Sequence, residues 1–476
     1  MDIGHSSAKK LTLLNLTWPI FIEVLLRMLL VNVDMYMLGK YSDSAVAAVG
    51  ATNQFLSLVV LLYGVVGSGT VILVSQYLGA KLKDRISEIV VVALATNFIF
   101  GIVMSLGLLL FGPSLLGLMN LPKDVFAYAS QFIFIVGGFS FSQALIATIS
   151  SILRSHGRTK ISMYVAIGMN IINVIGDYLF IYGPMGIPVL GVKGVAISTA
   201  TSQFAAAIAL LIILKKKVDV KLSIKYLSPI PKKTLGQILK IGIPSAGETL
   251  SYNISQIVIT SMIALMGTTA LATRFYVHNI IMFILLISFA MGQGTQILTG
   301  HMIGAGKANE AYRACLKYLR TAIIISFSFA VVFLLFRKSL ISIYTTNNEI
   351  IEIGSQLLLI ALIMEPGRAF NLIIINALRG AGDVRFPVVI GVLSMWGVSV
   401  VLSYLLGVYF KLGLLGVWIA FTCDEWLRGI IMLNRWRSRI WQRMSVVHNT
   451  DPVELENPGE NTLSPTLSTL TSEDDK

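Results

Sequence analysis

Two cysteines, Cys315 and Cys423, are all the thiols in this chain, which excludes a disulfide framework and any CxxC-type metal site. Charge is scarce as well. Asp, Glu, Lys and Arg make up 13% of the 476 residues, against about 25% in a typical soluble domain. The five histidines (His5, His156, His278, His301 and His448) are scattered over tails and loop ends, so no convergent metal or nucleophile cluster marks an enzyme. A phosphate-binding loop is missing too. The nearest lookalike, Gly304-Ala-Gly-Lys-Ala308, lacks the spacer and the Ser/Thr that would hold magnesium. The chain therefore reads as non-enzymatic, without a cofactor, and anything it moves must be driven by an ion gradient or by the substrate itself. A cleavable signal is not visible either, because Met1–Lys10 is polar and the next apolar run is too long for an h-region.

What is abundant is apolar sequence: 55% of residues are hydrophobic and the mean hydropathy is +0.79. A helix needs about 20 apolar residues to cross a bilayer. Twelve such runs occur, at roughly 13–39, 52–79, 89–112, 127–152, 161–183, 191–214, 238–266, 276–304, 317–337, 352–378, 387–409 and 413–434. Of the 37 Lys and Arg residues, 28 fall in one set of loops and tails, Arg154 and Arg379 among them, and only 7 in the opposite set. By the positive-inside rule both termini face the cytoplasm of a plasma (inner) membrane. The net charge of +13 is then a topology signal, not a nucleic-acid footprint.

The chain is also written twice. Pro19 and Glu23 recur as Pro244 and Glu248, an offset of 225. Gly67-Ser-Gly-Thr and Leu153-Arg-Ser-His-Gly recur as Gly292-Gln-Gly-Thr and Leu378-Arg-Gly-Ala-Gly at the same offset. Six spans per copy is an even number, so both copies enter the membrane in the same sense. The expected fold is an all-α integral membrane protein, twelve transmembrane helices as two six-helix bundles related by a parallel repeat. Its parts are a cytoplasmic N-terminus (1–12), an N-lobe (13–214), a cytoplasmic linker (215–237), a C-lobe (238–434) and a disordered cytoplasmic tail (435–476). Such lobes can rock about a cleft and expose it to each side in turn.

Seven acids lie inside these spans: Glu23, Asp34, Asp177, Glu248, Glu365, Asp424 and Glu425, against Arg27 and Arg368, with Arg428 at the rim. Intramembrane charge is costly and usually faces a bundle interior. Glu23/Arg27 (i,i+4) and Glu365/Arg368 (i,i+3) share helix faces, so mutual neutralisation and function both remain open for them. Glu248 has no local partner and is the better functional candidate, while adjacent Asp424 and Glu425 point different ways, so at most one faces the cleft. Asp34 and Asp177 fall at similar depth in the outer half, with Asn173 one turn before Asp177 and Thr199 at a comparable level. Two carboxylates, an amide and a hydroxyl suit a proton relay or a hard cation such as Na⁺.

Taken together, the twelve spans, the two proline-bearing helices, Leu378-Arg-Gly-Ala-Gly-Asp-Val-Arg-Phe-Pro387 and Asn173-Val-Ile-Gly-Asp177 resemble the multidrug and toxic compound extrusion (MATE) family over residues 11–434. That resemblance implies a bacterial secondary active antiporter, acting as a monomer in the lipid bilayer with no nucleic-acid partner. It would export organic, mostly cationic amphipathic compounds in exchange for H⁺ or Na⁺. Asp34, Asn173, Asp177 and Thr199 fall on the N-lobe site of the DinF-type branch. The NorM-type Glu is replaced by Tyr252 and the NorM-type Asp by Arg368. Glu23, Arg27, Glu248, Tyr252, Glu365, Arg368 and Asp424 are left as candidates for the substrate cleft or C-lobe charge. A flippase for a lipid-linked or amphipathic precursor would share the fold. The seven acids weigh against an anionic substrate of that kind, for which a basic cleft is expected.

Overall fold

A computed structural model describes residues 11–447, and among them every regular element is helical. The long helices are α1 (Leu13–Gly39), α2 (Asp43–Gly79), α3 (Lys83–Gly117), α4 (Lys123–Phe132), α5 (Phe141–Ser155), α6 (Thr159–Tyr182) and α7 (Val192–Lys217). They are followed by α8 (Lys232–Ala264), α9 (Thr268–Gly304), α10 (Ala308–Leu335), the short α11 (Arg337–Ser342), α12 (Asn348–Gly380), α13 (Arg385–Ser394) and α14 (Gly413–Arg437). Nine helical stretches among the described residues are long and apolar enough to cross a membrane, and a tenth forms if the bent pair α4–α5 is one span. The remaining long helices, α8 and α14, carry the charges inside their apolar runs: Glu248 on one, Asp424, Glu425 and Arg428 on the other.

Buried side chains repair the breaks in these helices, as a span in lipid requires. Pro19 in α1 has no N–H for the Asn15 carbonyl, and the Thr159 hydroxyl of α6 donates to that oxygen at 3.4 Å. The α4–α5 pair bends by 48° after a π-helical turn at Ile133–Gly137. There the Ser105 hydroxyl accepts from the Phe141 N–H at 3.0 Å, and Ser140 sits between Ser105 and Tyr63. Asn97 on α3 fastens this region, donating to the Tyr63 and Ala144 carbonyls and to Thr148.

Helices α1–α7 and α8–α14 build separate cores, such as Ala48, Tyr63 and Ile133 in the first and Ile259, Ile263 and Trp418 in the second. They also cross over one another, because α1 packs on α9 and α2 packs on α8 and α9. Glycines permit the tightest crossings. A Cβ on Gly79 would overlap the His301 carbonyl, and one on Gly304 would overlap the Gln76 carbonyl, so α2 and α9 meet backbone to backbone. We expect Gly304→Val to force these helices apart at a cost of about 1–3 kcal/mol, the range for overpacking. The check is a lowered melting temperature of purified protein, with Gly236→Val in α8, whose Cβ meets nothing within 4 Å, as the contrasting site.

The linker and the segment after α14 lie at this same end. Lys83–Asp219 (2.6 Å) and Lys221–Asp84 (3.2 Å) tie the linker to the start of α3, and hydrogen bonding to Lys83 holds the Asp219 carboxyl below its ordinary range. The expected tail from 435 onward begins as structure instead. Arg435 pairs with Asp383 at 2.8 Å, and buried Trp441 stacks on Trp436. Ser445 and the Val446 N–H both donate to the Gln76 side chain, whose amide donates to the Gly380 carbonyl. The strap through Val447 thus closes over both sets of helices, because aromatic and apolar residues there have a groove to fill. The rest of the expected tail lies outside the described residues.

Candidate functional site

Two polar centres sit among the apolar helices, and they are distinct. In the first, Asp177 and Asn173 on α6 are completely buried, and Asn173 donates to Thr199 on α7 at 3.2 Å. Asp34 on α1 reaches the same spot, its carboxyl in interaction range of Asp177, while Ser198 of α7 faces Asp177. Among the described residues, no donor is bonded to either carboxyl oxygen of Asp177, to Oδ1 of Asp34 or to the Asn173 amide oxygen. A pocket of unsatisfied oxygens is a costly arrangement, and it calls for a proton or a cation. The four residues expected together from depth and spacing are therefore together. At the position 225 residues beyond Asp34, Ile259 is plain core.

The second centre is a cavity of about 560 Å³ between the two sets of helices, walled by α1, α2 and α5 on one side and α8, α9, α12 and α14 on the other. Arg27, Tyr252, Glu248 and Arg368 line it, as do Glu425 and Arg428. Glu365, Asp424 and Glu23 do not, and stand behind the wall. Asp34 and Asp177 do not line it either, so the oxygen pocket lies outside the cavity wall.

Ion pairing in the cavity departs from the expectation in three ways. Glu248 is not alone, since Arg379 of α12 donates to it. The nearer partner of Glu23 is Arg154 of α5 at 3.3 Å, with Arg27 at 3.9 Å. Arg154 and Arg379 are not loop residues at all, because α5 and α12 carry them into the cavity wall. The repeat itself held the signal: Arg154 and Arg379 are 225 apart, as are Glu23 and Glu248, so the two pairs span equal separations. Glu365 and Arg368 do pair, at 2.6 Å, and Arg368 also binds Glu425 at 3.2 Å. Asn371 donates to Glu425 at 2.8 Å, and Arg428 joins Asp424 (2.6 Å) to Glu425 (3.3 Å), with Ser394 on the other Asp424 oxygen. Of the adjacent acids only Glu425 faces the cavity, as their directions require.

The wall is consequently basic. Five arginines (Arg27, Arg154, Arg368, Arg379 and Arg428) line the cavity against two glutamates, Glu248 and Glu425. Glu23, Glu365 and Asp424 pair with these arginines from behind the wall, so the basic excess is confined to the groups that face the cavity.

Comparison with known proteins adds the following. The MatE family model matches residues 19–179 and again 244–405, and the two matches start 225 residues apart. The chain is 46% identical over 433 residues to a Bacillus subtilis (strain 168) protein described as the uncharacterized transporter YisQ, covering 91% of this chain and 95% of that one. It is 26% identical over 449 residues to a probable multidrug resistance protein NorM of Thermotoga maritima, covering 93% and 95%. Among solved structures, MATE in the bent conformation superposes with a TM-score of 0.83 at 21% identity, over 90% of this chain and 94% of that one. A MOP superfamily transporter from Pyrococcus furiosus, described as having a binding pocket of reverse polarity, gives 0.81 at 21% identity, over 90% and 95%.

Proposed function

Because this chain belongs to the MatE family, a family of multi-pass multidrug-type transporters, we propose that it is a secondary active exporter of small organic amphipathic compounds, working by alternating access. Its twelve spans count α4–α5 as one, α13 with its π-helical continuation to Tyr409 as one, and the charged α8 and α14 as two more. The six-plus-six arrangement is supported by the paired family matches and by the equal spacing of Glu23/Arg154 and Glu248/Arg379. The Lys/Arg asymmetry supports an orientation with both termini cytoplasmic, and an exporter of this kind would work in the plasma membrane. The strap end is then the cytoplasmic face, closed by the α2–α9 crossing. Both centres are complete within one chain, which suits a monomer.

The single observation that carries the mechanism is the oxygen pocket at Asp34, Asn173, Asp177 and Thr199. It is buried, unsatisfied and separate from the cavity, as expected of a coupling site in the DinF-type arrangement. Uptake of H⁺ or Na⁺ there relieves the unpaired carboxylates and shifts the balance between two packings of α1 against α6. The shift is worth only as much as the ion's differential affinity for those packings. Organic cations, the class implied by the family resemblance, meet two cavity carboxylates that are both already held by arginines.

The test is substrate efflux in proteoliposomes under an imposed pH or Na⁺ gradient. Wild-type protein is expected to respond to one of the two, whereas Asp34→Asn should show gradient-independent exchange only. Gradient coupling undiminished in Asp34→Asn would remove the oxygen pocket from the mechanism.

A further inference from the structure

The cavity has a surplus of guanidinium at one end, and it arises from a break in the repeat. The C-terminal half pairs one arginine with one glutamate, Arg379 with Glu248. The corresponding pair in the first half, Arg154 with Glu23, has a second arginine added to it, because Arg27 stands where the other half has Tyr252. Arg27 and Arg154 lie in each other's field and share a single oxygen, Glu23 Oε1, at 3.9 and 3.3 Å. The Arg27 side chain is 53% exposed, and the Arg154 Nε–H is buried with no partner among the described residues. Of the other Arg154 nitrogens, Nη1 donates to Gln293 of α9 at 2.7 Å.

The far end of the cavity is the opposite case. Glu425 accepts on both oxygens, from Arg368 and from Asn371 with Arg428. The surplus acid of that cluster, Glu365, is fully buried behind the wall. Both carboxylates facing the cavity are engaged by arginine, Glu248 through Oε2 and Glu425 through both oxygens, whereas Arg27 and Arg154 share one oxygen and have N–H groups to spare. Between these ends the wall is apolar, with Leu61, Leu285, Phe289 and Ile375 among its residues.

We infer that Arg27 and Arg154 form the acid-recognition subsite of the cavity, so that the preferred substrate is an amphipathic organic anion. A carboxylate, sulfonate or phosphate docks between the two guanidiniums, whose planar forks match such groups, and its apolar body lies along the wall. This rests on the exporter reading above and specifies its substrate class. It also agrees with the electrical direction of such a cycle. An organic anion leaving and a cation entering both move positive charge inward, so an inside-negative potential drives both strokes.

The experiment uses full-length protein in an uncharged detergent and two fluorescent probes, dansyl-glycine as the amphipathic anion and ethidium as the organic cation. Binding is read by anisotropy. Dansyl-glycine is expected to bind roughly tenfold tighter than ethidium, and Arg27→Gln to weaken it by roughly tenfold, as for loss of a charge-assisted contact. Arg27→Lys should restore most of the affinity, and ethidium binding should not weaken in either variant. Arg27 is the first choice because Arg154 is more deeply tied into the fold, and monodisperse elution of Arg27→Gln separates a lost contact from a lost fold. Competition by a short-chain phosphatidic acid, and its absence, distinguish a lipid from a water-soluble acid as the source of the anionic group. Preference for ethidium, or an unchanged dansyl-glycine affinity in Arg27→Gln, overturns the subsite. Binding as expected without transport of either probe under H⁺ or Na⁺ gradients overturns the exporter reading and leaves the subsite standing. Gradient-driven ethidium efflux without dansyl-glycine binding does the reverse.

Discussion

Asp177→Asn is expected to remove the response of transport to an imposed ion gradient while leaving the protein at least as stable as wild type in detergent. The carboxyl is wholly buried on α6, and neither oxygen has a hydrogen-bond partner among the described residues. Asparagine keeps its shape and carries no charge to desolvate. An ionised Asp costs about 2.5–3.5 kcal/mol at the centre of a span on an insertion scale and less toward its ends; Asp177 lies in the outer part of α6, so the substitution takes away a smaller unfavourable term of the same sign. The functional loss is the whole of the linkage between ion and substrate. Such couplings are commonly worth about 1–3 kcal/mol, a factor of roughly 5–150 in affinity. Substrate affinity measured with and without H⁺ or Na⁺ would converge in the variant. A melting temperature well below wild type, with coupling intact, would instead make Asp177 a structural residue.

Arg379→Gln should have the largest effect on stability. It leaves Glu248 beside Gly391 in the cavity wall with its carboxylate no longer paired. Breaking a buried pair from one side costs about 3–5 kcal/mol, because the remaining charge keeps its desolvation penalty. Both side chains face the cavity, at 20% and 10% exposure, so the low end of that range applies. The double variant Glu248→Gln/Arg379→Gln should recover most of the loss, since two neutral amides leave no orphaned charge. Thermal unfolding of both variants and of Glu248→Gln closes the cycle. If the double variant is as unstable as Arg379→Gln alone, the pair is not what holds α8 to α12.

The residues that could be read from the sequence are those whose meaning is local. Asp34, Asn173, Asp177 and Thr199 stand out by depth and helical spacing, quantities that a run of residues carries within itself. Glu365 and Arg368 stand out because three residues along a helix is a contact distance. Arg154 and Arg379, the partners of Glu23 and Glu248 from other helices, do not, since each is 131 residues away and no helical spacing reaches it. Counting Arg154 and Arg379 as loop charges has the same origin: an arginine near a helix end looks cytoplasmic until its neighbours turn it inward. The basic wall was hidden for that reason, not because the acids were miscounted. The span count was harder for a different reason. The helices least apolar in sequence, α8 and α14, are those that present charge to the cavity, so function and hydropathy pull against each other there.

The strap after α14 has a consequence of its own. Trp441 and Val447 are anchored in different cores, and the Gln76 side chain grips the backbone between them. Such a segment is a ligand that can never diffuse away. Tethered ligands experience an effective concentration of about the millimolar order. A contact with a dissociation constant of that same order is therefore occupied about half of the time. On the alternating-access reading proposed above, weak grip is the useful regime for a transporter whose two halves part at this face in every cycle. A strap bound much more tightly would stall it, and one bound much less would leave the face ajar.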